Sequence, residues 1–203
     1  MDRGIRNTLI GVLAFISLVL GLTFARYTFK PGPSEEQLSE WGYYQFESPR
    51  VISDFKLVDE QEAPAGIEQL KGQWSLLFFG FTFCPDICPT TLSVMNKAVS
   101  ELEIKPQVVL VSVDPERDDP KTMARYVRAF NPEFRGFTGE FDEIVNLATQ
   151  VNVAFGKVPG NEPGTYLVDH SASIVVVDPE GRYAGFIKAP HSAGNLRSIV
   201  AAF

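Results

Sequence analysis

Residues 7–25 are nineteen consecutive uncharged positions, rich in Leu, Val, Ile and Phe. A helix of that length reaches about 28 Å, close to one hydrocarbon core. Its apolar character runs all round rather than along one stripe, which argues against a helix of a soluble core. The pattern predicts a transmembrane anchor. A cleaved signal peptide is the competing reading, but its apolar region is shorter and ends in a small-x-small site. Here Thr23-Phe24-Ala25 is a poor site, with the bulky Tyr27 and Phe29 close behind. Pro31-Gly32-Pro33 then stops the helix.

Beyond residue 33 the periods shorten. Ser34-Glu35-Glu36-Gln37 reads as a capping box for a brief amphipathic helix. Residues 51–57 alternate as a strand does, and residues 74–81 form the near-continuous apolar run of a central strand buried on both faces. Pro89 suits the first turn of a helix, and Leu92, Met95, Val99 and Leu102 follow at helical spacing. Residues 107–113 predict a second buried strand. Asp119-Pro120 is an N-cap followed by a first-turn proline. It opens a helix over 120–130 with Met123, Tyr126, Val127 and Phe130 on one face. Phe141, Ile144, Val145, Ala148 and Val151 mark another helix. Residues 157–166, with Pro159, Gly160, Pro163 and Gly164, read as a long mobile loop for partner docking or ligand repositioning. Strands over 174–177 and 183–187 flank the hairpin turn Asp178-Pro179-Glu180-Gly181, and a short helix over 196–203 closes the chain.

That order predicts a thioredoxin-like α/β domain, a three-layer α/β/α sandwich with a mixed central sheet, preceded by one N-terminal transmembrane helix. The expected organisation is a cytoplasmic tail over 1–6, the anchor over 7–25, a tether over 26–46 and the thioredoxin-like domain over 47–203.

Charge adds direction. The chain carries a net charge of -7, yet its first thirty residues hold Arg3, Arg6, Arg26 and Lys30 against Asp2 alone, so the acidic excess lies in the body. Such a body lacks the clustered Lys and Arg that nucleic acid requires. Arg3, Arg6 and the N-terminal amine precede the anchor. By the positive-inside contrast, modest here because Arg26 and Lys30 follow, the N-terminus faces the cytoplasm and the body lies outside. A bacterial inner membrane with a periplasmic domain is expected. The alternative is the mitochondrial inner membrane, facing the intermembrane space. No Arg-rich, Ser-rich transit segment stands ahead of the anchor.

The candidate chemistry sits in Cys84-Pro85-Asp86-Ile87-Cys88-Pro89, which holds both cysteines of the chain at a predicted strand-to-helix junction. Such a pair can close a disulfide, exchange electrons with another thiol pair, or hold a soft metal. A structural disulfide over so short a loop removes little unfolded-state entropy. Three residues separate the thiols, one more than in the ordinary thioredoxin motif, which gives both sulfurs room to face one ion. Cys88 lies at a helix N-terminus, where the macrodipole favours thiolate, the form that binds metal and attacks disulfides. Thiolates select Cu(I), with zinc second, and two are too few for a closed zinc site. Copper takes two thiolates and an imidazole, and only His170 and His191 can supply one. His170, in a loop at a sheet end, is preferred. His191 is read as an exposed residue near a helix start. Asp86 reads as a turn or capping residue, Asp114 as the end of a strand, and Phe83 as a shield for the site.

The chain resembles the Sco (SenC) family of cytochrome oxidase assembly factors. The similarity rests on Phe79-Gly80-Phe81-Thr82-Phe83-Cys84-Pro85-Asp86-Ile87-Cys88-Pro89, on Val111-Ser112-Val113-Asp114-Pro115-Glu116-Arg117-Asp118 and on Asp169-His170-Ser171-Ala172. It covers about residues 46–203. The resemblance implies one copper per monomer, Cu(I) and also Cu(II), held by Cys84, Cys88 and His170. It implies cytochrome c oxidase subunit II as partner, whose dinuclear copper site the family helps to build, and a copper donor chaperone upstream. Copper delivery by a metallochaperone, thiol-disulfide oxidoreductase chemistry by Cys84 and Cys88, and a copper or redox sensor are the functions to separate.

Overall fold

A computed structural model describes residues 2–28, 32–160 and 165–203. The chain divides into two compact units, residues 1–33 and 34–203. In the first, α1 (Arg3–Thr28) is a 26-residue helix. The stretch Arg3–Ala25 is long and apolar enough to cross a membrane, with mean hydropathy 2.4. Leu9, Leu13, Leu18 and Leu22 are all exposed, so its apolar surface has no cover within the unit. Two of its polar side chains turn inward onto the helix: Thr8 donates to the Gly4 carbonyl at 3.1 Å and Thr23 to that of Val19 at 2.9 Å. That economy suits a medium without water. The helix stop expected at Pro31 lies outside the described residues.

The second unit begins with α2 (Glu35–Glu40). Its capping box is formed, Ser34 Oγ accepting from the Gln37 N–H and Gln37 Oε1 from the Ser34 N–H. There follow β1 (Tyr43–Val51), β2 (Leu57–Asp59), β3 (Pro64–Ala65), a 3-10 turn (Ile67–Leu70) and β4 (Ser75–Gly80). Next come α3 (Ile87–Val99), β5 (Gln107–Ser112), α4 (Pro120–Phe130), β6 (Arg135–Thr138) and α5 (Phe141–Gln150). The chain ends with β7 (Phe155–Pro159), β8 (Tyr166–His170), β9 (Ile174–Val177), β10 (Arg182–Ile187) and α6 (Ala193–Val200).

Eight strands form one mixed sheet in the order β1-β10-β9-β4-β5-β6-β2-β3. β4 and β5 run parallel at its centre, β6 continues parallel to β5, and β9 pairs antiparallel with the other edge of β4. Every residue of β4 and β5 is buried. Strands buried on both faces need cover on both faces, and this is the three-layer thioredoxin-like sandwich. Cover comes from amphipathic helices that bury Leu92 and Met95 on α3, Met123 and Val127 on α4, Ile144 and Leu147 on α5, and Leu196 and Ile199 on α6. Asp119 caps α4, accepting from the Thr122 N–H at 2.6 Å ahead of Pro120.

Several expectations need correction. Residues 51–57 are not a strand: β1 ends at Val51 and β2 begins at Leu57. Between them Ile52 and Phe55 point into the core. Their neighbours' backbone donors go to α5 side chains, Ser53 N–H to Gln150 Oε1 at 2.6 Å and Lys56 N–H to Glu143 Oε2 at 2.9 Å. Within the expected tether, residues 34–46 carry the expected brief helix, α2, and also the start of β1. The loop expected over 157–166 contains the ends of β7 and β8, a two-stranded antiparallel sheet of its own. Pro163 and Gly164 of that expectation lie outside the described residues. Pro159 is tolerated as the last residue of an edge strand, where no ladder donor is needed. The closing helix spans Ala193–Val200 rather than 196–203, because the Ser192 hydroxyl caps it by accepting from the Asn195 N–H.

One buried ionic knot ties β2 to β6. Arg135 donates to Asp59 at 2.7 Å and to Glu60 at 3.1 Å, and Glu60 also accepts from the Gly136 N–H. Both carboxylates are almost wholly buried. Removing the cation alone strands two buried charges. Arg135→Met is expected to lower stability by about 3 kcal/mol, read as a shift in the urea midpoint of the full chain in detergent. An unchanged midpoint would show that the knot is solvated.

Candidate metal centre

The site forms where β4 ends. After Gly80 the chain turns out of the sheet, the Cys84 N–H donating to the Phe81 carbonyl at 3.2 Å, and enters α3 at Ile87. Asp86 stands at the N-cap position, but its carboxylate makes no cap and is exposed. The sulfur of Cys84 takes that role, accepting from the Cys88 N–H at 3.4 Å. A helix N-terminus has donors to spare and a positive end, so this sulfur is placed as thiolate.

Cys88 is fully buried. Its sulfur lies over Gly80, so close that a Cβ there would sit 2.8 Å from Sγ and 3.2 Å from Leu110. The absence of a side chain at Gly80 is therefore what seats Cys88. His170, the last residue of β8 rather than a loop residue, brings Nε2 to 3.4 Å from Cys88 Sγ. Its Nδ1 lies 3.1 Å from the Ser171 carbonyl. Only a protonated Nδ1 can donate there, which leaves the Nε2 lone pair facing the sulfurs in the neutral ring. Phe78 and Phe81 meet the imidazole edge-on at 5.8 and 6.0 Å. The ligand atoms of Cys84, Cys88 and His170 all lie within 4.8 Å of one another.

The two thiols share their protons unequally. Hydrogen bonding with Cys88 first, then with the backbone N–H groups of Cys88 and Asp86, holds Cys84 well below the usual thiol range against its burial. The same bond with Cys84, followed by burial, pushes the Cys88 thiol up. One sulfur is half-buried and held toward the thiolate, the other buried and held toward the thiol. Two soft sulfurs and an imidazole suit a soft cation of low coordination number, and they equally suit thiol-disulfide exchange.

Some of the surroundings escaped the sequence reading. Asp118 is fully buried behind the cysteine loop. It accepts from the Thr82 N–H at 3.1 Å, from the Thr82 hydroxyl at 2.6 Å and from Ser112 at 2.7 Å. Burial, ahead of those bonds that oppose it, raises its carboxyl. Asp114, expected merely to end a strand, is a buried carboxylate that accepts from the Tyr166 hydroxyl at 2.9 Å and pairs with Arg117. Phe83 does not roof the sulfurs as a buried shield: it is 58% exposed, with the Arg117 guanidinium 5.1 Å from its ring. His191 is half-buried, not exposed. Its Nε2 lies 2.7 Å from the Ala172 carbonyl, and its Nδ1 is buried without a partner among the described residues.

Residues 45–203 match the family model described as SCO1/SenC. The chain belongs to the SCO1/SenC family. Among its relatives, a mouse protein named Protein SCO2 homolog, mitochondrial, is 38% identical over 159 residues, which are 74% of this chain and 62% of that protein. The chain thus spans about three-fifths of that mitochondrial relative. Of solved SCO1/SenC structures, that of Arabidopsis thaliana ScoI with copper bound superposes with a TM-score of 0.70 at 33% identity, covering 75% of this chain and 98% of the other. Yeast Sco1 with copper bound gives 0.68 at 33%, covering 75% and 88%.

Two outcomes follow from this geometry. In the reduced apo protein, iodoacetamide should modify Cys84 at least about tenfold faster than Cys88, since the latter reacts only on local opening. Gly80→Ala should narrow the difference by unseating Cys88; equal rates in the wild type would contradict the burial of Cys88. Burial, ahead of the bond to Ala172, lowers the basicity of His191. The unfolded chain then binds a proton that the folded chain refuses. Stability should fall as pH drops below the unfolded value near 6.5, and urea midpoints at pH 7 and 5 should differ less in His191→Gln.

Proposed function

We propose that this chain is a membrane-anchored copper-binding protein that helps to assemble cytochrome c oxidase, delivering copper to the dinuclear site of subunit II. The observation that carries the reading is the convergence of Cys84, Cys88 and His170 within 4.8 Å. Copper is cargo here, one ion per monomer, Cu(I) foremost because two thiolates dominate the donor set. Cys88 would be the fixed inner ligand, Cys84 the outer one reached by a donor or acceptor, and His170 the imidazole ligand through Nε2. Relatives of the same family whose names record bound copper support this choice of metal. The anchor over residues 7–25 holds the domain at the membrane face where such oxidase sites are built, with the N-terminus cytoplasmic and the domain periplasmic, or in the intermembrane space of a mitochondrion.

A second reading is favoured by the uneven proton sharing. As a thiol-disulfide oxidoreductase, the Cys84 thiolate attacks a partner's disulfide and expels one partner sulfur as thiolate. Cys88, losing its proton, then attacks Cys84 and releases the second. The partner gains two electrons and this chain is left with a Cys84–Cys88 disulfide.

Anaerobic Cu(I) titration of the reduced full chain in detergent, against a competing chelator, separates the two. One equivalent of competitor-resistant copper is expected, lost in Cys84→Ser and Cys88→Ser. In His170→Ala the affinity should fall by more than the roughly 10–100-fold typical of losing an outer-shell partner. Weak binding indifferent to His170 would overturn the copper reading and leave the redox pair.

A further inference from the structure

His170 stands on a hairpin separate from the main sheet. β7 and β8 pair only with each other among the described strands, outside the eight-stranded sheet. An open groove runs beside them, lined by Phe155, Lys157, Asp169 and His170. Side chains alternate along a strand, so Tyr166, Val168 and His170 share one face of β8. Val168 is buried, and Tyr166 supplies the polar attachment. Its ring meets the Arg117 guanidinium at 4.0 Å and the Lys157 ammonium at 4.4 Å. Its hydroxyl donates to Asp114 at 2.9 Å, with Glu116 at 3.3 Å, and its carbonyl accepts from Arg117 at 3.4 Å. Lys157, on β7, closes the ring of charges by pairing with Glu116 at 2.7 Å. Arg117 also packs over Phe83, the neighbour of Cys84. One side chain thus ties both strands of the hairpin to the segment after β5, and that segment reaches the cysteine loop.

We propose that Tyr166 is a positioning residue: a latch that holds the β7–β8 hairpin so that His170 Nε2 faces the two sulfurs, and whose release withdraws the imidazole. The inference rests on the copper reading of Cys84, Cys88 and His170. The latch lies beside the site without entering it. Its outer half is built of charges at exposed positions, where a partner's charged groups can compete for Glu116 and Lys157, while Asp114 anchors it from within. Releasing it would turn a three-donor site into a two-sulfur site while the eight-stranded sheet stays folded.

The test has two readouts on the full chain in detergent. In the apo protein, hydrogen exchange of the β7 and β8 amides should rise about tenfold or more in Tyr166→Leu, with β4 and β5 amides unchanged. Tyr166→Phe, which keeps the ring between its two cations and loses only the hydroxyl bonds, should give a smaller rise; it also serves if the leucine variant folds poorly. In competitive Cu(I) titration, Tyr166→Leu should lower affinity about tenfold or more. The same change added to His170→Ala should cost nothing further, since both remove one ligand. Unchanged exchange in both variants overturns the latch. So does His170-dependent copper binding that Tyr166→Leu leaves intact, or full additivity with His170→Ala. Wild-type copper binding that ignores His170 overturns the copper reading and this inference together.

Discussion

The contact between the Cys88 sulfur and the bare Cα of Gly80 is the constraint from which the site is built. Gly80 is the last residue of β4, a strand buried along its whole length between β5 and β9 in a sheet covered on both faces. That strand cannot shift without moving the core. A sulfur laid against it inherits its rigidity, and α3 must then begin at a fixed depth. The depth sets where the first turn presents its spare N–H groups, and so where the Cys84 thiolate is drawn in. His170 is brought to the same sulfur from the far side of the sequence. Each donor is located relative to Cys88, and Cys88 relative to Gly80.

The support beneath the three donors is graded. Cys88 has the core, fully buried beside Leu110 and Phe78. Cys84 has a helix end and the turn pinned at Thr82 by Asp118. His170 has a two-stranded hairpin fixed by a buried valine and a cluster of charges around Tyr166. Buried Asp118 is costly as an anion, which its raised carboxyl records; its three donor contacts offset that cost, and they connect the end of β5 to the start of the cysteine loop. The order of rigidity runs from Cys88 to Cys84 to His170.

Much of this was legible in the residues, for reasons that differ by element. β4 and β5 are unbroken apolar runs, and α4 announces itself through Asp119-Pro120, because these signals are local. Residues 51–57 misled because their alternation is real while their backbone donors are claimed by Gln150 and Glu143, near a hundred positions away. Nothing local marks such a capture. The β7–β8 hairpin was hidden by Gly156, Pro159 and Gly160, which punctuate a strand at an edge as readily as they break one. At the site, the donor set was readable because cysteine and histidine are rare here. Asp114 and Asp118 were not, since a carboxylate's worth depends on burial and on partners such as Tyr166 that only the fold assembles. His191 reads as a surface residue in the sequence for the same reason.

The graded support bears on the competition between binding copper and exchanging electrons. Delivery demands that a soft ion be held selectively and yet surrendered, so one ligand must be accessible and one must be free to leave. A purely redox pair needs an accessible thiolate and a resolving thiol. Cys84 and Cys88 satisfy both demands, which is why the cysteine motif alone decides nothing. His170 weighs toward the first: with Nδ1 facing the Ser171 carbonyl and Nε2 facing the sulfurs, it would complete a three-donor set that disulfide exchange does not require. The chain places this imidazole on a separate hairpin, some eighty residues from Cys88, and holds it there with charged groups that could have been spared. That placement is intelligible if the third donor serves the metal proposed for the site.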